Sequence, residues 1–153
     1  MKEYAELLEG AEAAEFGRLT RDVSEFLVSI EPLRAFNHAV KRTVTLQESC
    51  HLVHAQRIKD APRSLLTSIP GLELRDMAHS DLCCGSAGLY MLTEGEMSSR
   101  ILDEKMHAVA ATGAHTIVTS NPGCMMQLQR GLHRARLAGD VKHVVELLDE
   151  AYR

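Results

Sequence analysis

Hydrophobic positions in the first 31 residues recur with the period of an α-helix, and glutamates fill the opposite face. The spacing predicts an amphipathic helix over residues 3–15, ended by Gly17, with apolar positions Tyr4, Leu7, Leu8, Ala11 and Ala14. Asp22 and Glu25 form a capping-type pair that predicts the start of a second helix. The apolar face of that helix carries Val23, Phe26, Leu27 and Ile30, and Pro32 ends it.

From Arg42 onward, short alternating segments with β-branched residues replace the purely helical pattern. Residues 42–47, 72–77 and 115–120 predict three strands. Helical spacing returns between and after them. This spacing predicts four helices. The first runs through Leu65 and Leu66 with Pro62 in its first turn, and the second runs from the capping box Thr93–Glu96 to Gly113. The third follows Asn121-Pro122-Gly123 with Met125, Leu128 and Leu132 on one side, and the fourth runs through Val144, Leu147 and Leu148.

Strands that alternate with helices indicate crossover connections and a parallel sheet. The predicted fold class is therefore α/β, a small and mainly parallel sheet of about three strands flanked by helices, with two extra N-terminal helices. We expect residues 1–40 to be a helical segment that packs on the domain and residues 41–153 to be the α/β domain.

Composition and charge exclude several classes of protein. The chain of 153 residues has the length of one domain. No apolar run approaches the length of a membrane span, and the first residues do not resemble a secretory signal, so we expect a cytoplasmic protein. The net charge is −4, with an excess of acidic residues within 1–31, which argues against nucleic-acid binding. Phosphate-binding loops, dinucleotide-binding glycine patterns and nucleophile elbows are missing from the sequence, and we predict no catalytic residues.

The four cysteines each follow a predicted strand: Cys50 the first, Cys83 and Cys84 the second, and Cys124 the third. Because parallel strands all end at one edge of the sheet, we expect the four thiols to converge there. Four thiolates match one [4Fe-4S] cluster or one structural zinc ion. The alternatives are unconnected reduced thiols, a disulfide, or a thiol–disulfide site at Cys83 and Cys84.

Residues beside the cysteines support a metal site. Gly85 and Gly88 let the backbone approach a bulky inorganic group and donate hydrogen bonds to its sulfurs. Cys124 opens a helix, so we expect the helix N-terminus to stabilise its thiolate. His51 could bond a cluster sulfur, act as a ligand, or simply begin a helix. The methionines are expected to fill the core, and Met125 and Met126 to keep the site dry.

Three segments resemble the cysteine-rich CCG domain: Cys50-His51-Leu52, Leu82-Cys83-Cys84-Gly85-Ser86-Ala87-Gly88 and Asn121-Pro122-Gly123-Cys124-Met125-Met126-Gln127. This domain occurs in heterodisulfide reductase, in lactate-utilisation proteins and in the iron–sulfur subunit of glycolate oxidase. Segments 49–56, 69–74 and 145–149 also resemble the final CCG repeat of the glycolate oxidase subunit. The chain departs from the fuller family pattern at Gln127, in place of a fifth cysteine, and at Glu48-Ser49, where Asp-Pro is usual.

The resemblance implies an electron-transfer domain whose cluster is held by Cys50, Cys83, Cys84 and Cys124. The four thiols favour a simple [4Fe-4S] cluster over a larger one. The implied partners are flavin-containing subunits that oxidise glycolate and the rest of an iron–sulfur subunit, namely a ferredoxin-like module and a first CCG repeat. The acceptor would be a quinone or another oxidant, reached at the inner face of the cell membrane through partners. We expect this chain to be a fragment of the longer subunit.

Overall fold

The computed structural model describes residues 2–30 and 35–153. The chain separates into two compact units, with the boundary between Arg34 and Ala35. The assignment of residues 1–40 as a segment that packs on the α/β domain stays a prediction. None of the helices in the described ranges is long and apolar enough to cross a membrane.

The first unit contains three short helices, α1 (Tyr4–Leu7), α2 (Ala11–Leu19) and α3 (Val23–Ser29). The prediction of one helix over residues 3–15 is wrong, because the chain breaks at Gly10, whose φ of 126° is not helical. Gly17 lies inside α2 instead of ending it, and a Cβ there would come within 2.7 Å of a backbone oxygen of Lys2. Glycine is therefore required where the N-terminal segment crosses α2.

The capping pair of the second predicted helix is confirmed. The Asp22 side chain accepts from the backbone N–H of Ser24, and the Glu25 side chain accepts from the backbone N–H of Asp22. These bonds satisfy N–H groups that have no partner within the helix, which is why α3 begins there. The predicted end at Pro32 lies outside the described residues.

The second unit is built on a parallel sheet of four strands, β1 (Arg42–Leu46), β2 (Leu72–Arg75), β3 (Thr116–Thr119) and β4 (Asp140–His143). The strand order is β2-β1-β3-β4. The prediction of an α/β fold with a small parallel sheet is confirmed. The fourth strand was not predicted because it is an edge strand, half-buried throughout, with no apolar alternation.

The same unit contains five helices and one π-helical turn. The helices are α4 (Asp60–Ser68), α5 (Tyr90–Thr93), α6 (Gly95–Thr112), α7 (Pro122–Ala135) and α8 (Val144–Tyr152), and the π-helical turn spans His51–Ala55. The capping box predicted at Thr93–Glu96 is wrong, because Thr93 belongs to α5 and Glu94 precedes α6 without a side-chain cap. Gly113 ends α6 in the left-handed conformation, as predicted.

Two helix pairs bury the sheet. Leu102 and Met106 of α6 pack with Leu128 and Leu132 of α7 in a cluster that also contains Ile117 of β3. Successive strand residues face opposite sides, so Val118, which is fully buried, lies on the other face, where α4 contacts α8. Both faces of the sheet are therefore covered, which a parallel sheet requires.

Candidate metal centre

The strand order reverses direction between β1 and β3, because the chain leaves β1 towards β2 and returns past β1 to β3. Open α/β sheets bind their ligands in the crevice at such a reversal, outside the carboxyl ends of the strands. Cys50 lies just beyond the end of β1, and Cys124 lies in the first turn of α7, just beyond β3. The two cysteines therefore flank this crevice.

The structure brings all four cysteines together around one cavity of about 120 Å³ in the second unit. Cys83 and Cys84 reach it from the long segment between β2 and α5. The cavity is far larger than the roughly 10–15 Å³ that a single water molecule needs. Its remaining lining residues are Ser49, His51, Ser86, Ala87, Gly88 and Asn121.

The thiols form two hydrogen-bonded pairs, Cys50 with Cys83 and Cys84 with Cys124. The hydrogen bond from Cys124 lowers the pKa of Cys84 to about 6. The same bond, and burial, raise the pKa of Cys124. In the shared hydrogen bond, the thiolate form is therefore favoured at Cys84 over Cys124. The stabilisation of a Cys124 thiolate by the helix N-terminus stays a prediction.

Backbone N–H groups point at the sulfur atoms. The amide of Gly85 donates to Sγ of Cys83 at 3.3 Å. The amide of Ser86 donates to the sulfur of Cys84 and the amide of His51 to that of Cys50. Such donors stabilise sulfur that carries negative charge, as thiolate ligands do, and they tune the potential of iron–sulfur sites.

The arrangement of the thiols can be compared with the geometry of a single-ion site. A tetrahedral zinc site places its sulfur ligands roughly 3.8 Å from one another, given zinc–sulfur bonds of about 2.3 Å. Within the described ranges, no three His, Cys, Asp or Glu side chains are gathered closely enough to hold one ion. In this structure the four thiols lie around a cavity and not about a single point.

Close packing requires a glycine at position 85, whereas at position 88 the left-handed backbone conformation favours one. A Cβ on Gly85 would lie 2.5 Å from the backbone oxygen of Ser98, and its φ is 87°. Gly88 lines the cavity with φ at 62°, and a Cβ there would meet nothing within 4 Å. The two glycines thus bring the cysteine segment against α6 and bend it around the cavity.

Polar contacts hold the segment that leads from β1 to Cys50. The side-chain amide of Gln47 donates to the backbone oxygens of Glu48 and Leu82, at 2.9 and 3.1 Å. The Glu48 carboxylate accepts from the hydroxyl of Ser80 at 2.6 Å. These bonds join the exit of β1 to the segment that carries Cys83, so rigidity comes from cross-linking rather than from a proline ring.

Three buried residues near the cysteines were not predicted from the sequence. The Ser98 hydroxyl donates to the backbone oxygen of Gly85 at 2.7 Å and accepts from Nε2 of Gln127 at 2.9 Å. Gln127 therefore supports the cysteine segment and is not among the residues that line the cavity. The third residue is Lys105, a buried cation on α6. Polar residues at buried positions of a helical pattern are the signal that could have found Ser98 and Lys105.

Of the other predicted residues, His51 is exposed and lines the cavity, at the start of the π-helical turn. Met77 and Met106 are buried in the core as predicted. Met126 is 66% exposed, so the expectation that it keeps the site dry is wrong. It points away because it sits two residues after Cys124 on the helix, on a different face.

Comparison with known proteins identifies the domain. Residues 44–129 match the family model of CCG, the cysteine-rich domain. The chain is 45% identical to a probable glycolate oxidase iron–sulfur subunit of Bacillus subtilis (strain 168), over 91% of this chain and 32% of that protein. It is 30% identical to lactate utilization protein A 1 of Bacillus mycoides (strain KBAB4), over 90% of this chain and 56% of that protein.

The lactate utilization protein A of Lysinibacillus sphaericus (strain C3-41) is 28% identical over 97% of this chain and 67% of its own length. The chain thus spans about a third of the length of the glycolate oxidase relative. The family match covers the exits of β1, β2 and β3, and with them every cysteine in the cavity. The chain belongs to the CCG cysteine-rich domain family.

Proposed function

We propose that the chain is an iron–sulfur electron-transfer domain of a glycolate oxidase-type complex, which oxidises a 2-hydroxy acid. The observation that carries the proposal is the convergence of all four cysteines on one cavity. The similarity to a protein named as a glycolate oxidase iron–sulfur subunit supports the type of complex.

Cys50, Cys83, Cys84 and Cys124 would hold a [4Fe-4S] cluster, one thiolate for each iron. Such a cluster supplies one-electron transfer when bound. The amides of Gly85 and Ser86 donate to the thiolates, Gly88 lets the segment bend around the cavity, and the exposed His51 is one of its lining residues. With Gln127 occupied in supporting Gly85, the chain offers no fifth thiol for a larger cluster.

The partners in this proposal are flavin-containing subunits that donate electrons and the remaining part of an iron–sulfur subunit, with a ferredoxin-like module and a first CCG repeat. The acceptor is a quinone or another oxidant. In this proposal the protein works in the cytoplasm, and its partners hold it at the inner face of the membrane. No residue of this chain is assigned to the chemistry at the 2-hydroxy acid.

The test is an anaerobic preparation of the chain, with iron, sulfide and zinc measured per protein and the visible spectrum recorded. We expect about four iron and four sulfide and a broad sulfur-to-iron absorption band. Stoichiometric zinc without colour would instead establish a structural zinc domain. A colourless, metal-free protein that cycles between dithiol and disulfide would establish a thiol–disulfide function.

Serine variants test whether the four cysteines share one site. We expect Cys83→Ser and Cys124→Ser each to abolish iron binding, because each removes a corner ligand. Met126→Ser, a substitution at an exposed residue beside Cys124, is the matched control and should leave the iron content unchanged. Full iron content in both cysteine variants would refute the shared site.

A further inference from the structure

Lys105 is a buried cation that bonds to a backbone oxygen. Its side chain lies on α6, the residue is 5% exposed, and its Nζ donates one hydrogen bond, to the backbone oxygen of His79 at 2.7 Å. In the part of the chain that the structure describes, no carboxylate lies within 4 Å of this Nζ. Burying an ammonium group without an opposite charge is costly, so its surroundings require an explanation.

The charges that act on Lys105 are mainly those of the cysteines. Burial lowers the pKa of Lys105, and the charges of Cys84, Asp81, Cys83 and Cys124 raise it. Three of these four groups line the candidate metal cavity. In the other direction, the Lys105 charge helps to lower the pKa of Cys84. The cation is therefore close enough to sense the charge of the thiolates and to influence it.

Lys105 and one of these thiols, that of Cys83, line the same second cavity. A pocket of about 310 Å³ is lined by both Cys83 and Lys105, together with Ala78, Leu82, Ile101 and Ala108. Its polar lining also includes His79 and Glu104. Cys83 borders both cavities, so it forms part of the wall between Lys105 and the candidate metal centre.

We propose that Lys105 is the counter-charge of the iron–sulfur cluster and raises its reduction potential. The inference rests on the proposed function and deepens it. Each reduction adds one electron, donated by the flavin of a partner subunit, and with it one negative charge near the buried ammonium group. Lys105 stabilises the reduced state more than the oxidised state because the attraction grows with the negative charge.

The competing explanation is that Lys105 only anchors the backbone. His79 has a φ of 54°, and its carbonyl also accepts from the N–H of Leu82 at 3.1 Å, so the turn that leads to Cys83 needs support. Two substitutions separate the roles. Lys105→Gln keeps an N–H donor but removes the charge, and Lys105→Met removes both.

The experiment measures the midpoint potential of the loaded chain by anaerobic redox titration, together with its iron content and circular dichroism. At a fixed solution potential, we expect the ratio of oxidised to reduced protein to be at least tenfold higher in Lys105→Gln and Lys105→Met than in wild type. For a one-electron couple this is about 59 mV towards lower potential. Lys105→Arg, which keeps the charge, should restore most of the wild-type potential.

Lys41→Met is the matched control. Lys41 is exposed and precedes β1, at the edge of the sheet opposite the cysteines, so the same loss of charge there should leave the potential unchanged. Wild-type potentials in folded, iron-loaded Lys105→Gln and Lys105→Met would overturn the inference and leave the proposed function standing. A wild-type chain that binds no iron would overturn both.

Discussion

At Gly85 and Ser98, segments from different parts of the chain come into direct contact beside the cysteines. The backbone of Gly85 lies where no side chain fits, and its carbonyl accepts from a hydroxyl on α6. Ser98 in turn accepts from Gln127 on α7. One serine hydroxyl therefore connects the cysteine segment to two helices. Because both partners are buried, each bond that is lost leaves a polar group without a replacement from water.

Substitution of Gly85 by alanine should destabilise the protein and prevent metal uptake. The positive φ alone costs about 1–3 kcal/mol for a residue with a side chain, and the Cβ also meets the oxygen of Ser98 at 2.5 Å. Urea unfolding of the metal-free chain measures the loss. Gly95→Ala is the control, because a Cβ at that position meets nothing within 4 Å. Equal stability of the two variants would contradict the packing argument.

Removal of the Ser98 hydroxyl should cost about 1–3 kcal/mol, because Ser98→Ala leaves the Gly85 oxygen and the Gln127 amide unpaired in the core. The neighbouring variant Ser99→Ala loses only a bond from exposed Arg130, so its free energy of unfolding should change by about 0.5 kcal/mol or less. The difference between these two serines is the measured quantity. No difference would mean that the buried network does not stabilise the cysteine segment.

The start of α7 combines a side-chain cap with the placement of a thiol. The side chain of Asn121 accepts from the backbone N–H of Cys124 at 3.1 Å, and Pro122 occupies the first turn, where no N–H is needed. The Cβ that Gly123 lacks would lie 3.0 Å from the hydroxyl of Ser86. The start of α7 can therefore approach the cysteine segment closely, and this approach sets the distance between Cys84 and Cys124.

Loss of the Asn121 cap should destabilise α7. We expect Asn121→Ala to reduce the free energy of unfolding by about 0.5–2 kcal/mol and to weaken iron retention, because the first turn carries Cys124. Asn121→Asp keeps an oxygen acceptor at the same place and is the matched variant for stability. Urea unfolding of the metal-free proteins tests the cap, and the iron content of the loaded proteins tests its effect on the site. If alanine and aspartate behave alike, the cap is not the cause.

An ion pair between α6 and α7 should make the free energy of unfolding depend on pH. Hydrogen bonds from Arg134, at 3.2 and 2.9 Å, lower the pKa of Asp103. A carboxyl whose pKa is lower in the folded state stabilises the fold above its unfolded pKa, and this contribution is lost as the pH falls through the folded pKa. Wild type should therefore be more stable than Asp103→Asn at pH 6, and the difference should be smaller near pH 2. Urea unfolding at both pH values measures it, and an unchanged difference at low pH would contradict this origin.

For the α/β unit as a whole, the candidate metal centre connects segments that the sheet alone does not hold. The Cys50 turn, the Cys83–Cys84 segment and the start of α7 follow three different strands and meet at the cavity. Leu82 and Leu89, on either side of the two central cysteines, are 55% and 73% exposed. A bound metal group would tie this exposed segment to the sheet edge, because it binds the native arrangement and not the unfolded chain.

Metal removal should therefore loosen this segment specifically. We expect chymotrypsin to cleave at Leu82 and Leu89 at least several times faster in the chelated protein than in the loaded protein, and the chelated protein to melt at a lower temperature. Cleavage at exposed Phe16 and Leu19 in the first unit is an internal control and should not change. Uniform acceleration at all four sites would indicate general unfolding instead of a local effect.

Local patterns in the sequence predicted most of the fold. The alternation of Arg42–Leu46 and the apolar spacing of α4, α7 and α8 are properties of neighbouring residues, so they can be recognised without the tertiary structure. Errors occurred where the local signal was weak. β4 is held by its hydrogen bonds to β3 and not by an apolar face. At Gly10 the helix breaks although the apolar spacing continues through it.

Periodicity along the chain was enough to predict an α/β fold with a parallel sheet. It also placed the four cysteines after the strands, and therefore at one edge of the sheet. The fold was needed to show which thiols are paired, that their hydrogen bond lowers the pKa of Cys84, and that Ser98 and Gln127 hold the cysteine segment. These contacts join residues far apart in the chain. They depend on left-handed turns and close helix packing, which no local pattern of residues encodes.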